Sequence, residues 1–556
     1  MANTGNMLST AVSGLQAFQR NLATIGNNIS NVNTEGFSRQ SVELAARTPN
    51  AASNGFIGTG VDVTTVKRVY DQFLFDQIVS RNSTFNQLDT LRTMASNIDE
   101  LLANDDVGLN PAIQKFFNAL QDVANNPTSI PARQVLISEA ETLSERFQSF
   151  DKRFENLNDS VNSQLRVTTE EVNSIASSIA ALNENIVLQK SLTGGQPPNS
   201  LLDQRDRLVS QLSELVSVNT NESNDGSLSV FIGNGQTLVL AGEARTLSTT
   251  RNEFDLSRLE VSFDTGTASF SISGQLNGGK IGGLLAFRED VLDPVQDSMG
   301  RIAIGLTSTI NAQHQLGDDI NGNPGGLFFN DIVSTSPEVL SSTGNNPASG
   351  TVSVAINDTN LIQASEYRLN YDGATFSLTR LRDNTIVDSG FTVGDFPRAI
   401  ASDGITLSLA GGVSAGDSFL IRPVRNGAGD IGVAISSAAE FAGAASGNAL
   451  GDNSNVLALA ALQTQKLLGG STESLQSAYA RLISEVGVGT REATVNANAQ
   501  RALLDRAIES HQVVSGVNLD EEAANLLKFQ QAYQAAAQVI RISDDIFQTL
   551  LSVTGR

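Results

Sequence analysis

Three groups of residues have types and spacings that could do chemistry. Gly274-Gln275-Leu276-Asn277-Gly278-Gly279-Lys280 fits the phosphate-loop pattern G-x-x-x-x-G-K, between a β-rich stretch and a helical one. A phosphate loop also needs a Ser or Thr next, to ligate Mg²⁺, and here Ile281 follows. The segment reads as a glycine-rich turn feeding a helix. Asp319, Asn321 and Asn323 carry the alternating oxygens of a calcium loop, but Pro324 replaces the turning glycine and Asn330 the bidentate Glu. An Asn/Gly/Pro turn with at most weak calcium affinity is the reading. The only imidazoles, His314 and His511, lie in helical patterns with no second His or acid cluster near them. There is no cysteine, so thiol nucleophiles, disulfides and thiolate metal sites are excluded. No catalytic, cofactor-binding or metal-ligating residue is assigned, no cofactor is expected, and the chain is not expected to be an enzyme. A carboxylate pair in a cleft is the one enzymatic arrangement on which spacing is silent.

The bulk numbers point the same way. At 556 residues the chain holds several domains. A 40% apolar content can fill cores, and only 17% of residues are charged, below the usual share of about 25%. The net charge of -23, from 59 acidic and 36 basic residues, argues against nucleic acid and against an anionic membrane surface, both of which select clustered Lys and Arg. MANTGNMLSTAV has no basic region followed by an apolar core, so a cleaved secretory signal is not expected. No stretch approaches about 18 uninterrupted apolar residues, so no membrane span is expected.

The elements along the chain alternate in character. A loop at 33–36 follows the first helical segment, and IGTGVDVTTV (57–66) reads as a glycine turn and a strand. Helical periodicity runs from Tyr70 to about 103, restarts at Asn110-Pro111, and is broken by Asn125-Asn126-Pro127. The longest helical signal spans about 131–190 and ends at Gly194-Gly195-Gln196-Pro197-Pro198; LLDQRDRLVSQLSELV (201–216) is a further helix. A β-rich segment occupies 217–280, helix returns at 281–316, and a second β-rich block covers 317–430 with the short, evenly spaced strands of a sandwich or barrel-like insert. An Ala/Ser/Gly-rich connection at 431–448 precedes helical patterns at 455–486 and 488–514.

The two ends mirror each other. Leu8, Val12, Leu15, Phe18, Leu22, Ile25, Ile29 and Val32 step by three and four, and so do Leu526, Phe529, Tyr533, Ala536, Ile540, Ser543, Phe547 and Leu550. That period of about 3.5 is a coiled-coil seam. Gly14, Gly26 and a run of asparagines make the first helix marginal alone, and small residues (Ser13, Gly14, Ala17; Ala535, Ala536, Ala537) permit close helix approach. Both ends therefore need helical partners, within the chain or in an assembly.

At these same residues the chain resembles the bacterial flagellar axial proteins, the family of rod, hook and hook-associated proteins. SGLQAFQRNLATIGNNISNVNTEGFSRQ (13–40) is similar to the family's N-terminal motif, with Glu35 and Phe37 where proline and tyrosine are common, and SGVNLDEEAANLLKFQQAYQAAAQVI (515–540) is similar to its C-terminal motif. SGVNLDEE, RVYDQFL (68–74), LLDQRDRLVSQLSELV (201–216), GGKIGGLLAFRED (278–290) and GDDINGNPGGLFF (317–329) resemble the hook–filament junction members more than rod or hook proteins. Only about 335–430 lacks a resemblance.

The resemblance implies an α+β multidomain fold: paired N- and C-terminal coiled-coil helices, a long helical bundle and β-rich outer insertions. The expected division is 1–66 plus 512–556 as a terminal coiled-coil core domain, 67–316 plus 431–511 as a helical bundle with its β-rich segment 217–280, and 317–430 as an outer β domain. It implies a structural component that forms the hook–filament junction ring, adapts hook to filament and permits flagellin assembly. Leu8, Val12, Leu15, Leu22, Ile29, Val32, Leu526, Phe529, Tyr533, Ile540, Phe547 and Leu550 would be the self-association residues, and Leu526, Phe529, Tyr533 and Ile540 would also meet a dedicated export chaperone. Implied partners are like subunits in a ring, hook protein, the second junction protein and the flagellar type III export apparatus, with a secreted, extracellular location. The alternatives are another axial protein (rod, hook or second junction protein) and an adhesin built on the outer β block.

Overall fold

The computed structural model describes residues 2–52, 55–104, 108–447 and 451–554. Helix α1 (Ala2–Ser30) is followed by an antiparallel pair, β1 (Gln40–Ala46) and β4 (Val61–Arg68), with a bulge after Glu43; the hairpin β2 (Asn50–Ala52) and β3 (Gly55–Ile57) extends from it. The helical body comprises α2 (Gln72–Leu102), α3 (Leu109–Asn125), α4 (Ile130–Leu192) and α5 (Asn199–Leu215). Asp71 caps α2 by accepting from the Leu74 N–H, and Ser129 caps α4 with Pro131 in its first turn. At 63 residues α4 is about 95 Å long. Its buried Leu143, Phe147, Phe150, Phe154, Val161, Leu165, Val172, Ala176 and Ile179 form a stripe that binds the whole body into one core.

Beyond α5 lie a four-stranded sheet (Val218–Glu222, Leu228–Ile232, Gln236–Leu240, Glu243–Ala244) and a three-stranded sheet in the order Ser269–Ser271, Leu259–Asp264, Thr246–Arg251. The chain returns to the helical body through α6 (Gly279–Ala286), a π turn at Phe287–Leu292, and α7 (Asp293–His314). It then builds an antiparallel outer unit. One five-stranded sheet has the order Glu338–Ser341, Ser418–Arg422, Tyr367–Tyr371, Phe376–Arg380, Thr385–Phe391; a three-stranded sheet has the order Thr351–Ile356, Ile405–Ala410, Arg398–Ile400. Tyr367, Leu369, Phe376, Leu378, Ile405, Leu407, Phe419 and Ile421 fill the space inside. Helices α8 (Ser454–Ala461), α9 (Leu475–Ser515) and α10 (Leu519–Thr554) complete the fold. Helix α9 packs along α2, and α10 packs along α1.

The expected break between 486 and 488 is not there: α9 runs unbroken through Gly487 and Gly489. The interruption falls instead at 462–474, where Gly469 and Gly470 take positive φ and Ser474 with Ser477 forms a reciprocal cap that starts α9. Glycine in a packed helix costs about 1 kcal/mol, which tertiary contacts outweigh. A left-handed Gly-Gly pair followed by a cap is the stronger stop.

The outer unit is held to the helical body by a cluster of ion pairs. The Arg425 guanidinium lies 2.7 Å from Asp297, 3.0 Å from Asp293 and 2.9 Å from Glu366, while Arg422 reaches Glu366 at 2.6 Å and Asp255 at 2.9 Å. Arg258 completes the group on Asp293. Asp151 of α4 borders this cluster without joining it. Its own burial, reinforced by Glu155 and Asp430, pushes its carboxyl up to about 6, with Arg425 opposing. A carboxyl raised in the fold favours the protonated form, so its contribution is present below pH 4 and lost as pH rises through about 6. Asp151→Asn should therefore raise the melting temperature at pH 7 and change it little at pH 4. Calorimetry at both values checks this; an equal shift at both removes Asp151 as the cause.

Candidate functional site

The chemical motifs resolve into packing. Gly278 and Gly279 take positive φ, and a Cβ on Gly279 would lie 2.3 Å from the backbone of Leu215 and Val216. A Cβ on Gly278 would collide with Ser83 and Ser217. The Gly278 N–H donates to the Gln87 side chain at 3.2 Å. The space a phosphate would need is filled by α2 and the end of α5, so these glycines serve close approach of protein to protein.

In the other near-motif, the Asp319 carboxylate accepts from the backbone N–H groups of Asn321 and Asn323, at 2.7 and 2.8 Å, and from the Asn323 side chain at 3.0 Å. Its oxygens are spent within the turn. Among the described residues no cluster of His, Cys, Asp and Glu could hold a metal ion, and no helix is long and apolar enough to cross a membrane.

His314 ties three segments together. Nδ1 lies 2.8 Å from the Gly326 carbonyl, Nε2 accepts from the Ala442 N–H at 2.9 Å, and the ring packs on Phe328 and Phe441. Burial holds its pKa below the usual value, so it stays neutral near pH 7. His511 packs against Tyr70 and Phe75. One spacing of nucleophile type, G-x-S-x-G, is present at Gly412–Gly416. Ser414 sits there in a loop between two outer strands; its N–H donates to Asp417 and its Oγ accepts from Asn346. Neither histidine hydrogen-bonds it, and no strand-to-helix elbow presents it.

What remains is the pair of terminal helices. The Asn28–Glu522, Phe18–Phe529 and Met7–Val539 neighbourhoods make α1 and α10 antiparallel. Their polar end is a buried knot. Asn28 accepts the Gln40 N–H at 2.9 Å and donates to the Gln40 carbonyl at 2.9 Å and to Glu522 at 3.1 Å. Arg39 reaches Glu522 at 2.8 Å and Glu521 at 2.9 Å, and its backbone N–H donates to the Ser515 carbonyl. Glu522 is 1% exposed. Three acids in the first turn of α10 suit the positive end of the helix, and Asn518 accepts from the N–H groups of Asp520 and Glu521.

The face α1 turns inward is made of small and polar residues: Ala11, Ser13, Ala17, Asn21, Thr24, Ile25 and Asn28 are buried. The Ser13 hydroxyl accepts the Val61 N–H, docking β4 on the helix. Of the predicted stripe, Leu8 is 42% and Val12 is 37% exposed, while Leu15, Leu22, Ile29 and Val32 are half-buried. Phe18, which packs on Phe529, and the buried Ile25 lie within the intrachain contact, so only Leu8 and Val12 at the front of the stripe stand clear of it. On α10, Phe529, Tyr533 and Ile540 are half-buried, Phe529 against Phe18 of α1, whereas Leu526 and Phe547 are exposed. Leu550 belongs to α10, but its side chain lies outside the described residues. Asn28, Arg39 and Glu522 escape a search for apolar periodicity; their signal is a polar residue facing the seam.

The terminal pair is fixed to the body through DQRD. Arg68, at the end of β4, lies 2.9 Å from Asp203 and 2.6 Å from Asp206 of α5. Arg205, between them, is buried and donates to Asn183 of α4 and to the Gly226 carbonyl.

Comparison with known proteins gives a consistent result. Residues 95–329 match the family described as the flagellar hook-associated protein FlgK helical domain, and residues 340–423 match the flagellar hook-associated protein 1 D2-like domain. Residues 8–37 match the flagella basal body rod protein family, and 513–553 the C-terminal family of the rod proteins FlgEFG. The chain is 34% identical to flagellar hook-associated protein 1 of Salmonella typhimurium over 99% of this chain and 100% of the relative. It is 33% identical to the Escherichia coli K12 protein of that name over 99% and 100%, and 28% identical to that of Bacillus subtilis over 100% and 99%. The structure of the flagellar hook junction protein FlgK from Burkholderia pseudomallei is similar with a TM-score of 0.73 and 27% identity, covering 79% of this chain and 100% of that one.

The knot predicts a local failure. Glu522→Ala leaves Arg39 and Asn28 without their buried acceptor and should weaken docking of the terminal helices by about 1.5–3 kcal/mol. Hydrogen exchange in α1 and the first half of α10 should accelerate roughly tenfold to a hundredfold, with α2 and α9 unchanged. Unchanged exchange in α1 would show that the knot does not hold the pair.

Proposed function

The chain belongs to the flagellar hook-associated protein 1 family, and from that membership and the exposed apolar residues on its paired ends we propose that it enters the hook–filament junction as one of a ring of like subunits. It is a structural component of the bacterial flagellum, and its place is the hook–filament junction rather than the rod or hook proper. The region 340–423 matches the family's own D2-like domain, which supports the junction reading over an adhesin.

In the reading proposed here, residues 1–66 and 512–556 form the terminal core. The helical body is 67–316 with 431–511, and 317–430 faces outward. The observation that carries the assembly role is the exposure of Leu8, Val12, Leu526 and Phe547 on helices that are already paired within the subunit. Burying such side chains yields about 25 cal/mol per Å², enough to favour contact between copies once neighbours are present. Hook protein on one side and the second junction protein on the other are the proposed neighbours, outside the cell. Catalysis forms no part of this role.

Export sets a condition on the same residues. Phe529 packs on Phe18 of α1 and Tyr533 and Ile540 are half-buried in the folded chain, so a chaperone that grips them together with Leu526 must hold α10 before it pairs with α1. Passage through the flagellar type III apparatus would then precede formation of the knot.

The deciding experiment separates packing from assembly. Leu8→Asp and Phe547→Asp change exposed positions, so each purified variant should melt within about 1 °C of the parent, since surface substitutions stay within about 0.5 kcal/mol. In a strain lacking the chromosomal copy, each should give hooks without filaments and flagellin shed as monomer. Normal filaments from either variant would remove that residue from the assembly surface.

A further inference from the structure

An uncharged groove opens between α1, the β3–β4 connection and α10. It has a volume of about 790 Å³, and Met7, Gly14, Ile57, Gly58, Ala535 and Val539 are among its walls. None of the residues lining it carries a charge, in a chain of net charge -23. The end of α10 has the same character. From Ile546 to Thr554 no residue is charged, and Ile546, Phe547, Leu551 and Val553 are 39%, 49%, 55% and 72% exposed. Among the described residues no side chain fills the groove, and Ile546, Phe547 and Val553 at the end of α10 are exposed.

The two cannot satisfy each other within one chain. Ala535, in the groove wall, and Phe547 sit on the same continuous helix, about 18 Å apart at 1.5 Å per residue. We propose that the last turns of α10 from one subunit occupy the groove between α1, the β3–β4 connection and α10 of the next copy. This rests on the reading that the chain assembles through its terminal helices, and it names the contact.

Electrostatics favours that choice of surfaces. Copies of so acidic a chain repel one another, so contact is least costly where both faces are uncharged and apolar. A tail-into-groove contact uses different patches on the two partners. It is heterologous, and each copy offers both halves, so the contact propagates around a ring or along a helix. A self-complementary contact would stop at a dimer. The small groove residues, Gly14, Gly58 and Ala535, leave room for the larger Ile, Phe and Leu side chains of the tail.

The absence of cysteine allows a direct test. In Ala535→Cys/Phe547→Cys the thiols of one chain are too far apart to join, since a disulfide needs Cα atoms within about 7 Å. Flagella are isolated from a strain expressing only this variant, oxidised, and run without reductant. The expected result is a ladder of dimer, trimer and higher bands, with each single-cysteine variant remaining monomeric. Ala532→Cys/Ile546→Cys is run beside it and should give the same ladder. If the variants are present in flagella but both pairs stay monomeric or stop at dimer, the tail-into-groove contact is wrong while assembly through the ends still stands. If the parent protein is itself missing from isolated flagella, the underlying reading fails and the proposal with it. Ala535→Trp, which fills the groove, covers the case in which neither pair incorporates. It should keep the parent's melting temperature and be lost from flagella; its normal incorporation overturns the proposal.

Discussion

The placement of both chain ends depends on closing the chain on itself at Glu522. A carboxylate taken out of water is stable only with its charge and hydrogen bonds satisfied, and Glu522 draws in partners far away in sequence. Arg39 comes from the strand entry and Asn28 from the last turn of α1. Because Asn28 also pins Gln40 through both backbone groups, the helix, the strand and the returning helix are set at one point. The nearly 500 residues in between must therefore leave this point and come back to it.

Two further charged joints carry that geometry outward. Arg68 between Asp203 and Asp206 sets the terminal pair on α5. Arg422 and Arg425, sharing Glu366, set the outer sheets on α7 and on the Asp255 loop. Buried ion pairs add little net stability but are costly to break on one side. They suit a part whose units must keep a fixed angle. The apolar stripe of α4, by contrast, supplies the bulk of the packing within the body.

The sequence makes some of this legible and hides the rest, for physical reasons. The 3.5 period at both ends, the long stripe of α4 and its Gly-Gly-Gln-Pro-Pro stop are local signals, and local signals survive in a one-dimensional reading. The alternating strands around 217–280 and 351–422 are legible for the same cause. The direction of the terminal stripe is not. Period alone says that Leu8, Val12 and Leu15 share a face, but not whether that face meets α10 or a neighbour. The structure buries Ala11, Ser13, Ala17 and Asn21 instead, with Ser13 docked on β4. Asn28 counts against a helix by propensity, yet its value comes from a partner at position 522. The glycines at 278 and 279 resemble a phosphate loop because a phosphate and a neighbouring helix backbone place the same demand on a glycine, room where a Cβ would be.

The central claim is that the large apolar residues of the paired ends are kept free in the subunit for contacts between subunits. Hydrogen exchange measured residue by residue, on the soluble subunit and on the same protein in isolated flagella, tests it most directly. The account predicts that 7–15 and 542–553 exchange readily in the subunit and become strongly protected on assembly, while α4 and the α2–α9 pair are protected alike in both states. Equal protection of the two end segments in both states would contradict it.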